Sequence, residues 1–452
     1  MPHQAESIRT QDQLHELNSA LDSGTYITVR RMLHALPAAD IAHLLESSPP
    51  PIRHVLWQLI DDEDEGEILQ ELSDELQSQF LRNMDAEEVA AATEGLEPDD
   101  VADILHQLPE KVLQEVLNSM DQQDRTRLEQ MLIYPDDSAG GLMNTDTITV
   151  RARHTMDVVL RYLRRHSEIP EMTDSLIVVN RSDKFIGLLP LTTLLVSDPS
   201  ATVREMMQTD MEAIPATMPD GEVANLFNRH DWVSAPVVDE AGKLLGRITI
   251  DDVVDVIRED ADHSLMSMAG LDEDEDTFSP VFKTTPRRAV WLGINLVTAF
   301  IASSVINLFQ GTIDKVVALA VLMPIVASMG GIAGTQTLTI MVRGMALGQI
   351  GHSNRRWLIN REFLVGLLNG ILWSLVVAVA ATLWFDDPLI GLILAAAMVI
   401  NLVTAALAGT IIPLSMKRFD IDPALAGSVV LTTVTDVVGF LAFLGLATVF
   451  YG

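Results

Sequence analysis

Hydrophobic and polar positions follow three different rhythms along the chain. Up to about Leu132 the apolar residues recur at helical spacing in short segments: Ile41, Leu44 and Leu45, then Ile52, Val55, Leu56 and Leu59, then Val101, Ile104, Leu105 and Leu108. Pro37, the run Pro49-Pro50-Pro51 and Pro109 separate the segments. This pattern predicts an all-α superhelix of roughly eight to ten short helices, beginning near Gln11 and stacked like a solenoid. Between Ser138 and Asp255 β-branched runs alternate with short amphipathic segments. Beyond Pro280 come five long apolar stretches, 289–309, 316–342, 363–385, 389–416 and 424–451. Each is long enough at helical rise to cross a bilayer.

The middle region repeats itself. Leu142-Met143-Asn144-Thr145-Asp146 is echoed 64 residues later by Met206-Met207-Gln208-Thr209-Asp210. Val178-Val179-Asn180, Lys184 and Gly187 return 59 residues on as Val237-Val238-Asp239, Lys243 and Gly246. Each copy reads as strand, amphipathic helix (158–163; 223–227), strand, turn, strand and helix. With Pro236 to Asp239 and Gly246-Arg247-Ile248-Thr249-Ile250-Asp251-Asp252, it resembles a tandem pair of cystathionine-β-synthase-type (CBS) domains, expected at 134–200 and 201–255. Such α/β modules sense adenine nucleotides or ions. Nucleotide-binding members often place Ser or Thr, then Arg or Asp, at the turn occupied here by Thr192 and Thr193, which keep only the hydroxyls and so count against ATP.

A connecting helix is predicted from Asp251 to Met268, with Val254, Ile257, Ala261, Leu265 and Met268 as its apolar stripe. Asp252, Asp255, Glu259 and Asp262 make an acidic stripe, and the run Asp272-Glu273-Asp274-Glu275-Asp276 follows. Residues 1–133, 256–282 and 283–452 are thus expected to be the helical domain, the connector and the membrane domain.

Charge sharpens that division. The net charge of −33 sits almost wholly before Pro280, since residues 281–452 sum to +3. So acidic a lobe repels nucleic acid and concentrates cations. The chain has no cysteine, leaving hard oxygen ligands as its metal chemistry. Asp61-Asp62-Glu63-Asp64-Glu65, and Asp99 with Asp103 on one helix face, suit either solvation or a divalent ion. Met1-Pro2-His3-Gln4-Ala5-Glu6 has no basic or apolar run, so no signal peptide is expected there.

One ionisable residue, Asp436, stands inside the last apolar stretch, where a carboxylate is costly unless it meets water, a cation or a partner. Ser428, Thr432 and Asp436 fall at i, i+4 and i+8, the pattern of a lined pathway. The second stretch carries Pro324, Ser328, Gly330, Gly331, Gly334, Thr335, Gln336 and Thr339, small and polar residues that permit close helix approach or a lining. Lys283, Arg287 and Arg288, then Arg343, Arg355, Arg356 and Arg361, then Lys417 and Arg418 mark the cytosolic side of a five-span protein, with the amino terminus inside and the carboxyl terminus outside.

Taken together, these features resemble the MgtE family of magnesium channels. The matching residues are Tyr134 to Gly140, His230 to Asp239, Ile250 to Asp255, the glycine-rich second span, Asp422 to Ser428 and Thr432 to Gly439. The resemblance implies a homodimer in a cell membrane whose pore lies between subunits, with Asp436 of each chain gathering a hydrated Mg2+. It also implies that cytosolic Mg2+ closes the pore through Glu67, Asp99, Asp103, Asp231, Asp252, Asp255 and Asp260, and that Ser428, Thr432, Asp436, Ser328, Gly331 and Thr335 line the pathway. Ile332 stands where the family usually has Asn, and His263 and Ser264 where it is often acidic. A secondary transporter coupled to H+ or Na+ through Asp436 is the rival reading. No enzyme is expected: there is no His-Glu-x-x-His, no phosphate-binding Gly-x-x-x-x-Gly-Lys-Ser/Thr loop and no Gly-x-Ser-x-Gly elbow.

Overall fold

The computed structural model describes residues 26–166, 169–170, 172–271, 275–351, 353–419 and 421–451. The expected helix start at Gln11, the first residues of the chain and Asp272 to Asp274 of the acidic run lie outside them. Two compact units result: one runs through Asp260 and takes in the stretch ending at Pro280, the other begins at Ala261 and holds everything from Val281 onward.

The first unit opens with nine short helices among the described residues, α1 (Tyr26–Leu33) to α9 (Gln122–Met131). Prolines start two of them, α3 (Pro50–Trp57) and α7 (Pro98–His106), because a fixed φ and a missing N–H suit the first helical turn. Ile41, Leu44, Leu45, Leu56, Val101, Ile104, Leu105 and Leu108 are buried, as their spacing requires.

Arg53 is only 2 % exposed inside this helical stack. Its Nη1 and Nη2 donate to Asp276 at 2.6 and 2.9 Å, its Nε to the Leu45 carbonyl at 2.7 Å and its Nη2 also to the Glu46 carbonyl at 3.0 Å. Phe278 lies 5.7 Å from the guanidinium. The segment just ahead of Val281 is therefore fastened to α3. Asp276→Ala strands a buried cation and should cost the first unit about 3–5 kcal/mol, whereas Arg53→Met with Asp276→Leu should recover most of it. Chemical denaturation of the three proteins, followed by tryptophan fluorescence, checks this.

Two three-stranded sheets follow. In the first, β1 (Thr149–Arg151) runs parallel to β2 (Ser175–Val179), which pairs antiparallel with β3 (Phe185–Pro190); in the second, β4 (Ile214–Pro215), β5 (Ser234–Val238) and β6 (Leu244–Thr249) repeat the arrangement. The amphipathic helices are α10 (Met156–Leu163) and α13 (Asp220–His230). Gly187 and Gly246 are matched in the two copies for a steric reason. A Cβ there would fall 2.4 Å from the Gln208 carbonyl and 2.6 Å from that of Asn144.

The copies differ in where their apolar faces go. Val150, Met156, Val159, Leu176, Val178 and Leu189 form a core of their own, while Val223, Phe227, Val237, Ile248, Val253 and Val256 join the core of the helical stack. The helix after β6, α14 (Ile250–Ala269), accordingly turns a different face inward from the one its periodicity predicts. Val253 and Val256 are buried, whereas Val254, Ile257 and Leu265 of the expected stripe are exposed. The face of Val253 and Val256 continues with Asp260, His263 and Ser267 and is the less apolar of the two along the helix, so tertiary packing, not periodicity, makes the choice.

Among the described residues the second unit holds five helices long and apolar enough to cross a membrane: α15 (Val281–Asn307), α17 (Ala318–Ala346), α18 (Arg355–Phe385), α19 (Pro388–Arg418) and α20 (Pro423–Tyr451). A short helix, α16 (Gln310–Lys315), joins the first two. The first and third begin eight residues before their apolar stretches, at Val281 and Arg355, because the basic residues ahead of the stretch continue the helix. The most enclosed helix is α19, and glycines set its approach: a Cβ at Gly409 would fall 2.8 Å from the Gly334 carbonyl, and one at Gly366 2.7 Å from the Ala406 side chain. Within a single chain, α15 buries little beyond Ala302.

Candidate functional site

Because the second sheet and the helical stack share one core, α7 faces the start of α14 and two acidic segments distant in sequence meet. Asp99 is 5 % exposed, and Asn144 Nδ2 donates to its Oδ1 at 3.2 Å and also to the Glu97 carboxylate. Thr249 holds Asp252 from its hydroxyl at 2.9 Å and its N–H at 3.2 Å. Burial pushes Asp99 up to about 9, helped by Asp252, Asp100 and Glu97. Asp100 rises to about 7 by burial and then by Asp252, Glu97, Asp251 and Glu71. Asp252 rises to about 6 through burial and Asp251, against the Thr249 hydrogen bonds.

The rim behaves alike. Asp103 keeps an open edge, yet the protein behind it and then Asp136, Asp100, Asp252 and Asp74 push it well above the carboxylate range. Burial followed by Asp74 and Asp255 lifts Glu259 to about 7, against Arg258. Asp255 and Glu71 shift upward too, mainly by burial, Asp255 against Arg258 and Glu71 helped by Asp255. Of the expected sensor residues, Asp99, Asp103, Asp252 and Asp255 are thus brought together. Glu67 is exposed on the short helix Glu65–Gln70, and Asp231 is exposed in the left-handed cap of α13 (φ 53°); neither is among the charges acting on this cluster. Asp260 lies beside the start of α13, 3.5 Å from where a Gly221 Cβ would stand.

Carboxylates facing each other across a partly dry seam are what a divalent cation with oxygen preference neutralises, and the donors present fit Mg2+. The sign of the pH effect follows. Folded pKa values above the unfolded ones mean that the seam is most favourable near pH 4 and loses stability as pH rises through about 6 to 9. A divalent cation would compete with protons for these oxygens. Thermal stabilisation of the full-length protein by millimolar Mg2+ should therefore be larger at pH 8 than at pH 6, which a pair of melts at each pH measures.

The acidic run at 61–65 gains a neighbour that its own sequence does not signal. His34, Asp61 and Asp64 bring ligand atoms within 4.8 Å of one another, though Arg30 and His34 already pair with Asp61. His34 sits 27 residues before Asp61, so no local spacing signals the group.

In the second unit Asp436 lies near the middle of α20, half-buried, with no hydrogen-bond or ion-pair partner among the described residues. Thr432 is exposed, its hydroxyl donating to the Ser428 carbonyl at 2.8 Å, and Ser428 is partly covered. On α17 Ser328 and Thr335 are exposed with Ile332, Gln336 and Thr339, and Gly331 is half-buried. The opposite face, with Val326, Gly330 and Gly334, packs into the bundle. One chain thus leaves Ser328, Thr335 and Thr432 open and covers Gly331, Ser428 and Asp436 in part.

Glu362 and Asn401 are among the buried polar residues of the spans that no sequence pattern singled out. Glu362 is 3 % exposed, paired with Arg361 at 2.5 Å and 3.4 Å from the Thr337 hydroxyl; its place just before an apolar run was the available signal. Asn401 is fully buried in α19. His263, noted in the sequence as a departure, approaches Asp422 at 3.2 Å, and Asp422 accepts from the Ala424 N–H at 2.9 Å at the start of α20.

Comparison with known proteins gives matches along nearly the whole length. A divalent cation transporter model, MgtE, matches residues 323–446, the MgtE intracellular N domain matches 36–137, and CBS domains match 139–198 and 203–259. The magnesium transporter MgtE of Thermus thermophilus is 30 % identical over 436 residues, covering 95 % of this chain and 97 % of that one. That of Bacillus subtilis is 29 % identical over 430 residues, 95 % of each. A solved cytosolic domain of the Mg2+ channel MgtE, in complex with ATP, is 31 % identical with a TM-score of 0.49, covering 54 % of this chain and 99 % of that one.

Proposed function

The chain belongs to the MgtE family of magnesium transporters, and from that premise we propose a Mg2+-selective channel that carries the ion passively into the cytosol and closes when Mg2+ binds its acidic cytosolic part. The observation that carries this reading is Asp436, a mid-span carboxylate with no hydrogen-bond or ion-pair partner among the described residues, on a helix whose Thr432 is left open as Ser328 and Thr335 are on α17. Mg2+ sheds water reluctantly, so a lone carboxylate holds it poorly. Two chains about a two-fold axis supply two, with Ser328, Gly331, Thr335, Ser428 and Thr432 around them. The acidic half then lies in the cytosol and the carboxyl terminus outside.

Gating follows from the seam between α7 and α14. Bound Mg2+ offsets the repulsion among Asp99, Asp103, Asp252 and Asp255 and holds α14 still; its loss lets the seam part. Glu67, Asp231 and Asp260 complete the proposed sensor. Liposomes holding purified protein test the passive mechanism. Mg2+ uptake should follow an imposed Mg2+ gradient or voltage with no H+ or Na+ gradient present. Uptake that needs either counter-gradient would establish the coupled transporter instead.

A further inference from the structure

Asn401 on α19 touches both helices that carry the proposed lining. Its Nδ2 donates to the Val326 carbonyl of α17 at 2.8 Å. The same amide fills the space above two glycines: a Cβ at Gly330 would fall 2.3 Å from Nδ2, and one at Gly439 2.8 Å from it. Gly439 is three residues beyond Asp436, and Val326 and Gly330 flank Ser328. The amide is 0 % exposed, and its Oδ1 has no hydrogen-bond partner among the described residues.

A leucine has the same branched outline and brings no polar atom that would need a partner, so for stability alone the amide is a poor choice. What it supplies is position. A directional bond to one backbone, made across a gap that only glycines permit, fixes the register of three helices where apolar side chains would allow sliding. We infer that Asn401 is a positioning residue for ion selection, holding the Asp436 segment of α20 at a set distance from the glycine-rich segment of α17. It acts through Asp436 and so rests on the pore reading given above.

The test is selectivity in reconstituted full-length protein, measured as the ratio of Mg2+ to Ca2+ flux. Asn401→Leu should reach the membrane and melt as the parent does, yet lose at least about tenfold in that ratio, within what an ångström of misplacement costs a preorganised site. Gly330→Ala with Asn401→Ala refills the vacated volume without the amide, covering the case in which the leucine variant misfolds, and should show the same loss. A parental ratio in either folded variant overturns the inference and leaves Asn401 a packing residue. Asp436→Ala run alongside separates the two readings. If it conducts normally, the pore assignment fails and takes this inference with it; if it is silent while the Asn401 variants stay selective, only the positioning role falls.

Discussion

Asp436→Ala should reduce Mg2+ flux through reconstituted protein to the leak of empty vesicles, with yield and melting unchanged. At an effective dielectric of about 20, opposite unit charges 4 Å apart attract by about 4 kcal/mol, and a divalent ion facing two carboxylates does better. If only about 2 kcal/mol of that survives hydration, ion occupancy still falls roughly thirtyfold. Asp436→Asn keeps the shape and one oxygen but no charge, so it should fall nearly as far. Flux at the parental level in both variants would remove the ion-gathering role from this residue.

Replacing Asp252, Asp255 and Asp260 together by asparagine is expected to leave uptake active at internal Mg2+ that shuts the parent. The α7 side of the seam keeps Asp99, Asp100 and Asp103 with Glu97, and Asp99 stays buried. Closing the seam still requires a cation there, while neutral amides hold Mg2+ far more weakly than carboxylates do. Currents recorded while Mg2+ is stepped on the cytosolic face measure the effect. Ordinary shut-off in the triple variant would mean that gating lies elsewhere.

Much of this molecule is readable one segment at a time. Helical spacing in the first third, the repeat that returns Gly187 as Gly246, and five long apolar runs are local patterns, and each forms the element it predicts. Asp436 is legible for the same reason, because a charge inside an apolar run stands out without coordinates. The stripe on α14 is not. Val253 and Val256 are as apolar as Val254 and Ile257, and burial of the first pair follows from which surface the second repeat offers the helical stack.

The residues that most need the tertiary structure are those whose meaning comes from distant partners. Arg53 and Asp276 are 223 positions apart, and each reads as an ordinary surface charge until the fold buries the guanidinium. Asn401 reads as a single polar residue in a span until Gly330 and Gly439 leave it room and the Val326 carbonyl accepts its hydrogen bond. The chain by itself therefore determined its helices and strands, its apolar spans and the acid in the last of them, because hydrophobic period and desolvation cost act locally. Which acids oppose one another, and which amide joins the helices, was decided by long-range packing, since those energies exist only once separate segments share a core.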